Sequence, residues 1–152
     1  MKKTLQFALS LFLLFLIFSV SASKTNDSKQ ILTVKYIINA VNDQNAENYA
    51  DPFAENTKIY VDGDLKIKGK KSLKLNRESH FKQYPKIRSE IQYLVEIDNK
   101  VIMHDKVWLT DSEEIGRDIV EIFTFDNGEI SKVDVIQPVS YTHLTLPTIL
   151  LV

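Results

Sequence analysis

The apolar residues of this chain follow a helical spacing in its first half and an alternating spacing in its second. After potential capping residues at 26–28, apolar positions recur every three or four residues, which predicts an amphipathic first helix. Its apolar face consists of Ile31, Val34, Ile38 and Val41, with Ile37 on the flank. A short second helix is predicted over 46–53, and a third over 70–84. The third helix places Leu73, Arg77, Phe81 and Tyr84 on one side. Pro85 ends it, because the residue before a proline avoids helical dihedral angles.

The remaining segments predict strands. Two short strands, 57–62 and 65–68, flank the turn Asp62-Gly63-Asp64. Four longer strands follow at 87–97, 101–110, 116–125 and 129–137, and the odd-numbered residues of the first of these share one face. The segment Asp126-Asn127-Gly128 is a strong hairpin signal between the last two strands. Helices followed by an antiparallel meander indicate an α+β domain.

The strands at 101–110 and 116–125 carry large apolar residues on both faces. One face is expected to pack on the helices, and the other needs a second cover, because a large exposed apolar surface is unusual in a monomer. The sequence therefore predicts a homodimer formed through the outer face of the sheet.

The two ends of the chain differ in composition from this domain. Residues 1–22 have the layout of a secretory signal peptide, with Lys2 and Lys3 before an apolar run and small residues up to Ala22. We expect cleavage after Ala22, a linker over 23–27 and a domain over 28–138, which predicts a secreted or periplasmic protein. Residues 139–152 contain no Asp, Glu, Lys or Arg and resemble a non-native tail. Fourteen residues are too few to span a bilayer as a helix, so no stable membrane span is expected after cleavage.

The amino-acid composition excludes several classes of functional site. The chain has 152 residues, of which 44% are hydrophobic and 26% charged, and it contains no cysteine. This composition is that of one globular domain, and it excludes a disulfide framework, a thiolate zinc site and a cysteine nucleophile. Metal-binding, phosphate-binding and dinucleotide-binding motifs are absent from the sequence. We therefore expect no metal and no cofactor.

Four short motifs occur in a characteristic order within residues 31–137. They are Ile38-Asn39-Ala40-Val41-Asn42, the segment 49–53 leading to Ala54-Glu55-Asn56-Thr57, Gly69-Lys70, and the hairpin from Ile122 to Ile130. In this order and spacing the chain resembles the nuclear transport factor 2-like superfamily, and within it the SnoaL-like and steroid delta-isomerase-like proteins. The resemblance implies a cystatin-like cone, in which three N-terminal helices pack on a strongly bent, mostly antiparallel sheet around a pocket.

The resemblance also suggests where acid–base residues would lie. Steroid isomerases of this superfamily have a tyrosine on the first helix, a general-base aspartate after the first strand and a second acid on a late strand. In this chain the first two positions fall on Ile37 and Val61, each one residue away from a suitable side chain, at Tyr36 and Asp62. Glu121 matches the third position in kind. Asp62 and Glu121 are therefore catalytic candidates.

Glu121 also stands out without any resemblance, because it shares a strand face with Ile119, Phe123 and Phe125. A buried carboxylate needs a partner. A turn over 111–114 would set His104 opposite Glu121, as an acid–base pair suited to proton transfer beside a carbonyl. A shift of one residue would instead oppose Asp105 to Glu121, and the repulsion between like charges favours the first register. His104 is thus the third catalytic candidate.

These features predict a domain that binds a small, largely apolar or amphipathic molecule, with isomerase-like acid–base activity as a further expectation. The aromatic residues expected to line the ligand cavity are Phe53, Tyr60, Tyr93 and Trp108. The alternative is a non-catalytic module acting through its dimer interface or through the basic segment 66–88, which has nine basic residues and one acid. Nucleic-acid binding is not expected, because removal of Lys2 and Lys3 leaves 17 basic against 20 acidic residues.

Overall fold

The computed structural model describes residues 27–138, which form three helices and six strands. The helices are α1 (Lys29–Asn42), α2 (Ala46–Ala50) and α3 (Lys70–Gln83). The strands are β1 (Phe53–Val61), β2 (Asp64–Lys68), β3 (Arg88–Ile97), β4 (Lys100–Trp108), β5 (Arg117–Asp126) and β6 (Glu129–Ile136). The predicted α+β architecture is confirmed. The predicted signal peptide, most of the linker and the tail at 139–152 lie outside the described residues.

The first helix begins where the sequence indicates. The Ser28 side chain accepts a hydrogen bond from the backbone N–H of Ile31 at 3.1 Å, which satisfies one of the free donors of the first turn. The apolar stripe of α1 is buried, with Val34 and Ile37 fully inaccessible to solvent. At the other end of the helix, the Asn42 side chain exchanges two hydrogen bonds with the backbone of Ser89, at 2.8 and 3.0 Å. This contact fixes α1 against the beginning of β3.

The second helix is shorter than expected, because the chain enters the sheet earlier. Helix α2 ends at Ala50, and β1 starts at Phe53 instead of residue 57. The Pro52 carbonyl accepts a hydrogen bond from the backbone N–H of Ile130 at 2.9 Å, and Phe53 pairs with Ile130 in the sheet. Backbone pairing with β6 thus overrides the helical tendency of this segment.

The six strands form one sheet in the order β2-β1-β6-β5-β4-β3. All neighbouring pairs are antiparallel except β1 and β6, which are parallel. The hairpin between β5 and β6 turns at Asn127 and Gly128, both with positive φ, as the sequence predicts. The fold is therefore a mostly antiparallel sheet with helices packed on one face, which we call the inner face; the opposite face is the outer face.

A bulge in β3 decides which residues reach each face. Ile91 pairs with Asp105 and Tyr93 pairs with His104, so Gln92 has no partner on β4. An extra residue in one strand exchanges the two faces beyond it. The expectation that all odd-numbered residues from 87 to 97 share one face is therefore wrong. Ser89 and Ile91 lie on the inner face, whereas the odd-numbered residues beyond the bulge lie on the outer face.

The hydrophobic core fills the space between the helices and part of the inner face. Its largest fully buried side chains include Phe53, Phe123, Ile37, Leu73 and Met103. Within the described residues, no helix combines the length and the apolar character that a membrane crossing requires. The core occupies one end of the layered structure, and the other end is open.

Candidate functional site

A cavity of about 1230 Å³ lies at the open end, between α1, α2 and α3 and the inner face of the sheet. Apolar side chains from four strands form much of its wall, including Ile59, Val107, Ile119 and Val135. Two acidic side chains, Asp105 and Glu121, face the same space. The fold therefore forms a large, partly apolar cavity in which a few polar groups converge, the usual character of a small-molecule site.

Glu121 projects from the middle of β5 into this cavity. Burial raises the pKa of its carboxyl to about 7, the neighbouring Asp105 acts in the same direction, and the Arg77 guanidinium opposes both. A carboxyl with a pKa near neutrality exchanges protons readily at physiological pH, which suits a general acid or base. The Glu121 carboxyl therefore faces the cavity, and its catalytic role stays a prediction.

Asp105 is the second carboxyl of the cavity and is 3% exposed. Direct opposition to Glu121 does not occur, because Met103 pairs with Glu121 and Asp105 pairs with Ile119. Asp105 is therefore a diagonal neighbour of Glu121 on the inner face. Burial raises the pKa of Asp105, opposed by a 2.6 Å hydrogen bond that Ser89 Oγ donates to Oδ2 and by the charge of His104.

The helices contribute a basic and an aromatic group to the opposite wall. Arg77 on α3 lies over the Tyr49 ring of α2, with its guanidinium carbon 5.0 Å from the ring centroid. Burial raises the pKa of Tyr49 to about 12, so its hydroxyl stays protonated at neutral pH. Burial also lowers the pKa of His80 to about 4, with the Arg77 charge adding to the effect. His80 is therefore neutral, and Arg77 supplies the positive charge of this wall.

The predicted pair of His104 and Glu121 does not form. The observed register sets His104 opposite Val120, one residue away from the predicted pairing, so His104 lies on the outer face. There its Nε2 is 2.8 Å from Asp118 Oδ1, and its ring stacks on Tyr93 with centroids 5.9 Å apart. The predicted turn over 111–114 is wrong, because β4 ends at Trp108 and β5 begins at Arg117, and the register differs by one residue from the predicted one. In a sheet such a shift moves a side chain to the other face.

Asp62, the third catalytic candidate, lies at the mouth of the cavity. It is exposed in the turn between β1 and β2, with a positive φ of 50°. Its carboxylate accepts a hydrogen bond from the backbone N–H of Gln137 at 3.3 Å. Asp62 and Glu121 therefore border one cavity, whereas His104 does not. The catalytic roles of Asp62 and Glu121 stay predictions.

The four aromatic residues expected in the cavity lie elsewhere. Phe53 is completely buried in the core and stacks on Tyr49. Tyr60 is on the outer face, where the Lys132 ammonium lies 4.9 Å from its ring centroid. Tyr93 is 71% exposed on the outer face, because the bulge at Gln92 reverses its direction. Trp108 packs against Gly116 and beneath the Arg88 guanidinium.

Several polar residues that line the cavity were not predicted as site residues from the sequence, namely Tyr49, His80, Ser89 and Asp105. Arg77 was predicted only as part of the packed side of the third helix. The signal for Asp105 was available, since this residue interrupts the alternating apolar positions Val101, Met103 and Val107 just as Glu121 does on β5. Repulsion between like charges was expected to keep Asp105 and Glu121 apart. In the structure the two carboxyls share the inner face, and burial raises the pKa of each, which disfavours their ionisation.

Solved structures share the fold of this chain, although sequence comparisons find no relative. The sequence matches no established family profile and no curated protein. The structure is similar to an uncharacterised cystatin-fold protein from Novosphingobium aromaticivorans, with a TM-score of 0.64 and 23% identity over 74% of this chain and 100% of that one. A SnoaL-like protein of unknown function from Burkholderia thailandensis gives a TM-score of 0.64 with 14% identity over 74% and 98% of the two chains. An inferred ketosteroid isomerase from Kribbella flavida gives 0.58 with 15% identity over 76% and 82%.

Proposed function

We propose that this domain, which has the nuclear transport factor 2-like fold, binds a small, largely apolar molecule in its inner cavity. The observation that carries the proposal is the cavity itself, about 1230 Å³ in volume and lined by aliphatic side chains, with the buried carboxyls of Asp105 and Glu121 among its polar groups. Apolar walls favour the transfer of an apolar ligand from water, and a few polar groups fix its orientation.

The binding proposal is tested with toluene as an apolar probe and with a variant that fills the cavity. Toluene added to the full chain is expected to shift the NMR signals of cavity residues such as Ile59 and Val107. Ile119→Trp places a large ring in the cavity and is expected to abolish these shifts. Val95→Trp makes a similar change on the exposed outer face and should leave them intact. Toluene shifts that survive in Ile119→Trp would contradict binding in this cavity.

General acid–base catalysis is the second candidate function, and the raised pKa of Glu121 favours it. A carboxyl with a pKa of about 7 can remove a proton from a carbon next to a carbonyl and return it to another carbon, as in an isomerisation. The inferred ketosteroid isomerase with a similar fold is consistent with this chemistry. Because folds of this kind serve many functions, the catalytic proposal depends on Glu121 and not on the fold.

Hydrogen–deuterium exchange tests this second proposal directly. Cyclohex-2-enone in deuterated buffer is the probe, and NMR follows exchange at the carbons activated by its carbonyl. Glu121→Gln is expected to slow protein-catalysed exchange about 100-fold or more. Glu96→Gln, at an exposed position of β3, is the matched control and should have no effect. Equal exchange rates in the wild type and Glu121→Gln would exclude Glu121 as the acid–base group.

We also propose that the outer face mediates a homodimer. Four large apolar side chains on this face are more than half exposed, namely Tyr93 (71%), Val95 (51%), Ile97 (58%) and Ile136 (53%). Burial of this surface against a second copy would remove it from water. Sedimentation velocity of the wild type should give a dimer and that of Val95→Lys a monomer. A monomeric wild type at about 100 μM would contradict the proposal.

Export to the periplasm or medium remains a proposal that rests on residues 1–22 alone. Expression of the full chain in a bacterium and N-terminal sequencing of the product test it. A new N-terminus at Ser23 is the expected result, whereas retention of Met1 in the cytoplasm would contradict export.

A further inference from the structure

Asp105 is a polar group of the cavity whose hydrogen-bonding capacity the protein uses only in part. The side chain is 97% buried, and its Oδ1 atom has no hydrogen-bond partner among the described residues. Asp105 also forms no ion pair within residues 27–138. Buried carboxylates in proteins are nearly always paired or hydrogen-bonded, because an unmet acceptor retains its full desolvation cost.

The structure holds this carboxyl in one orientation. Ser89 Oγ donates a hydrogen bond to Asp105 Oδ2 at 2.6 Å, and the backbone of Ser89 forms two hydrogen bonds with the Asn42 side chain. Asp105 Oδ2 on β4 is therefore held in place by β3, and β3 is held at this point by α1. The second oxygen is left for the cavity, which Asp105 lines. Such an arrangement is typical of a binding group positioned by supporting residues.

The charges around Asp105 make a cation the suitable partner. Glu121, its diagonal neighbour on the inner face, is a second carboxyl, and the charge of Asp105 disfavours ionisation of Glu121. Arg77 is the basic residue of the facing helices that lines the cavity, and its guanidinium lies over the Tyr49 ring. His80 on the same helix is neutral at physiological pH. Asp105 and Glu121 therefore share the interior of the cavity with the Arg77 cation, whereas the other charged side chains that line it are exposed, namely Asp62, Lys66, Arg117 and Asp118.

We infer that the ligand of this cavity carries a protonated amine, which Asp105 binds through Oδ1 while Glu121 contacts the same ammonium. The inference rests on the proposed binding function and specifies its ligand class. An ammonium supplies three donors and one positive charge, so it can satisfy both carboxyls and reduce their mutual repulsion. A hydroxyl supplies one donor and no charge. The apolar part of such an amine would lie against Ile59, Val107 and Ile119.

Three probes of nearly equal size separate these possibilities, namely benzylamine, benzyl alcohol and toluene. At pH 7 benzylamine is a cation, benzyl alcohol is a neutral donor, and toluene has neither property. NMR titration of the full chain should show benzylammonium binding at least about tenfold more tightly than the other two, as expected for a charge-assisted hydrogen bond. In Asp105→Asn the preference for benzylammonium should fall to about threefold or less, because only Glu121 is left to contact the ammonium.

Asp111→Asn is the matched control, because Asp111 is exposed in the loop after β4 and its substitution should leave the preference unchanged. Ser89→Ala removes the hydrogen bond to Asp105 Oδ2 but keeps the Asp105 carboxyl. It should therefore reduce the preference for benzylammonium without abolishing it. If Asp105→Asn fails to fold, the three wild-type titrations still decide the inference.

The outcomes distinguish this inference from the function on which it rests. Tight benzylammonium binding that is lost in Asp105→Asn supports both. Equal binding of toluene and benzylammonium overturns the inferred ligand class and leaves apolar binding intact. Benzyl alcohol binding as tightly as benzylammonium overturns the requirement for a charge. Absence of binding by all three probes overturns the ligand class and the proposed function together.

Discussion

The two faces of the sheet use the same residue types in opposite ways. On the outer face, Asp118 is held by His104 at 2.8 Å and Lys106 at 3.0 Å, and the pKa of its carboxyl is lowered by these two hydrogen bonds. On the inner face, Asp105 and Glu121 project from the same two strands, and burial raises the pKa of each. Adjacent positions of β4, His104 and Asp105, thus lie in opposite electrostatic environments.

This contrast shows which acids are structural and which are available for function. The outer acid Asp118 is exposed and is hydrogen-bonded to His104 and Lys106, so it has little capacity left for a ligand. On the inner face Asp105 Oδ1 has no partner among the described residues, and perturbed carboxyls in a cleft are characteristic of functional sites. Four substitutions test this difference between the two faces.

The largest effect is expected from truncation of the buried inner face. Phe123 is fully buried in the core, so Phe123→Ala should lower the free energy of unfolding by about 3–5 kcal/mol through lost burial and a residual cavity. Val95→Ala, on the outer face, should change the free energy of unfolding of the monomer by less than about 1 kcal/mol. Urea denaturation of both variants is measured at a protein concentration below that of dimer formation. Similar losses in the two variants would show that Val95 is buried within the monomer itself.

A smaller, pH-dependent effect is expected at Glu121. Its pKa rises from the ordinary value of 4.5 to about 7 on folding, so between these pH values the folded state keeps a proton that the unfolded state has lost. Stability from this group is therefore lost as the pH rises through that window. Glu121→Gln removes the loss, and its stability relative to the wild type should increase by about 2–3 kcal/mol between pH 4 and pH 8.

Denaturation curves of both proteins at several pH values provide this measurement. The difference between the two isolates Glu121, because His80, whose lowered pKa of about 4 gives a slope of opposite sign, is present in both. A relative stability that stays constant with pH would show that Glu121 is not desolvated as the structure indicates.

The smallest effect is expected on the outer face, with the opposite sign. The pKa of Asp118 is lowered from its ordinary value of 3.8, so its contribution is present above that pH and is lost as the pH falls through the folded value. Asp118→Asn should therefore match the wild type in the shape of its stability profile above pH 5 and lose less stability below pH 4. A slope between pH 5 and pH 8 that changes in Asp118→Asn would contradict the division between the two faces.

Local patterns in the sequence predict most of the helices and strands of this fold. Local signals placed the Ser28 cap, the apolar stripe of α1 and the hairpin at Asn127 and Gly128, because each depends on residues close in the chain. Alternation along β5 also identified Glu121 as a carboxyl on an apolar face. The order of these motifs indicated the nuclear transport factor 2-like fold, which the structural comparisons support.

Which side chains meet at the site depends on long-range packing. The bulge at Gln92 and the connection between Trp108 and Arg117 set the register of β3, β4 and β5. Each moved a predicted residue, Tyr93 or His104, to the outer face, because side chains alternate along a strand with a period of two. The proximity of Asp105 to Glu121 depends on that register, and the charge of the opposite wall depends on how α3 packs over the sheet. These are long-range contacts, and no local pattern in the sequence specifies them.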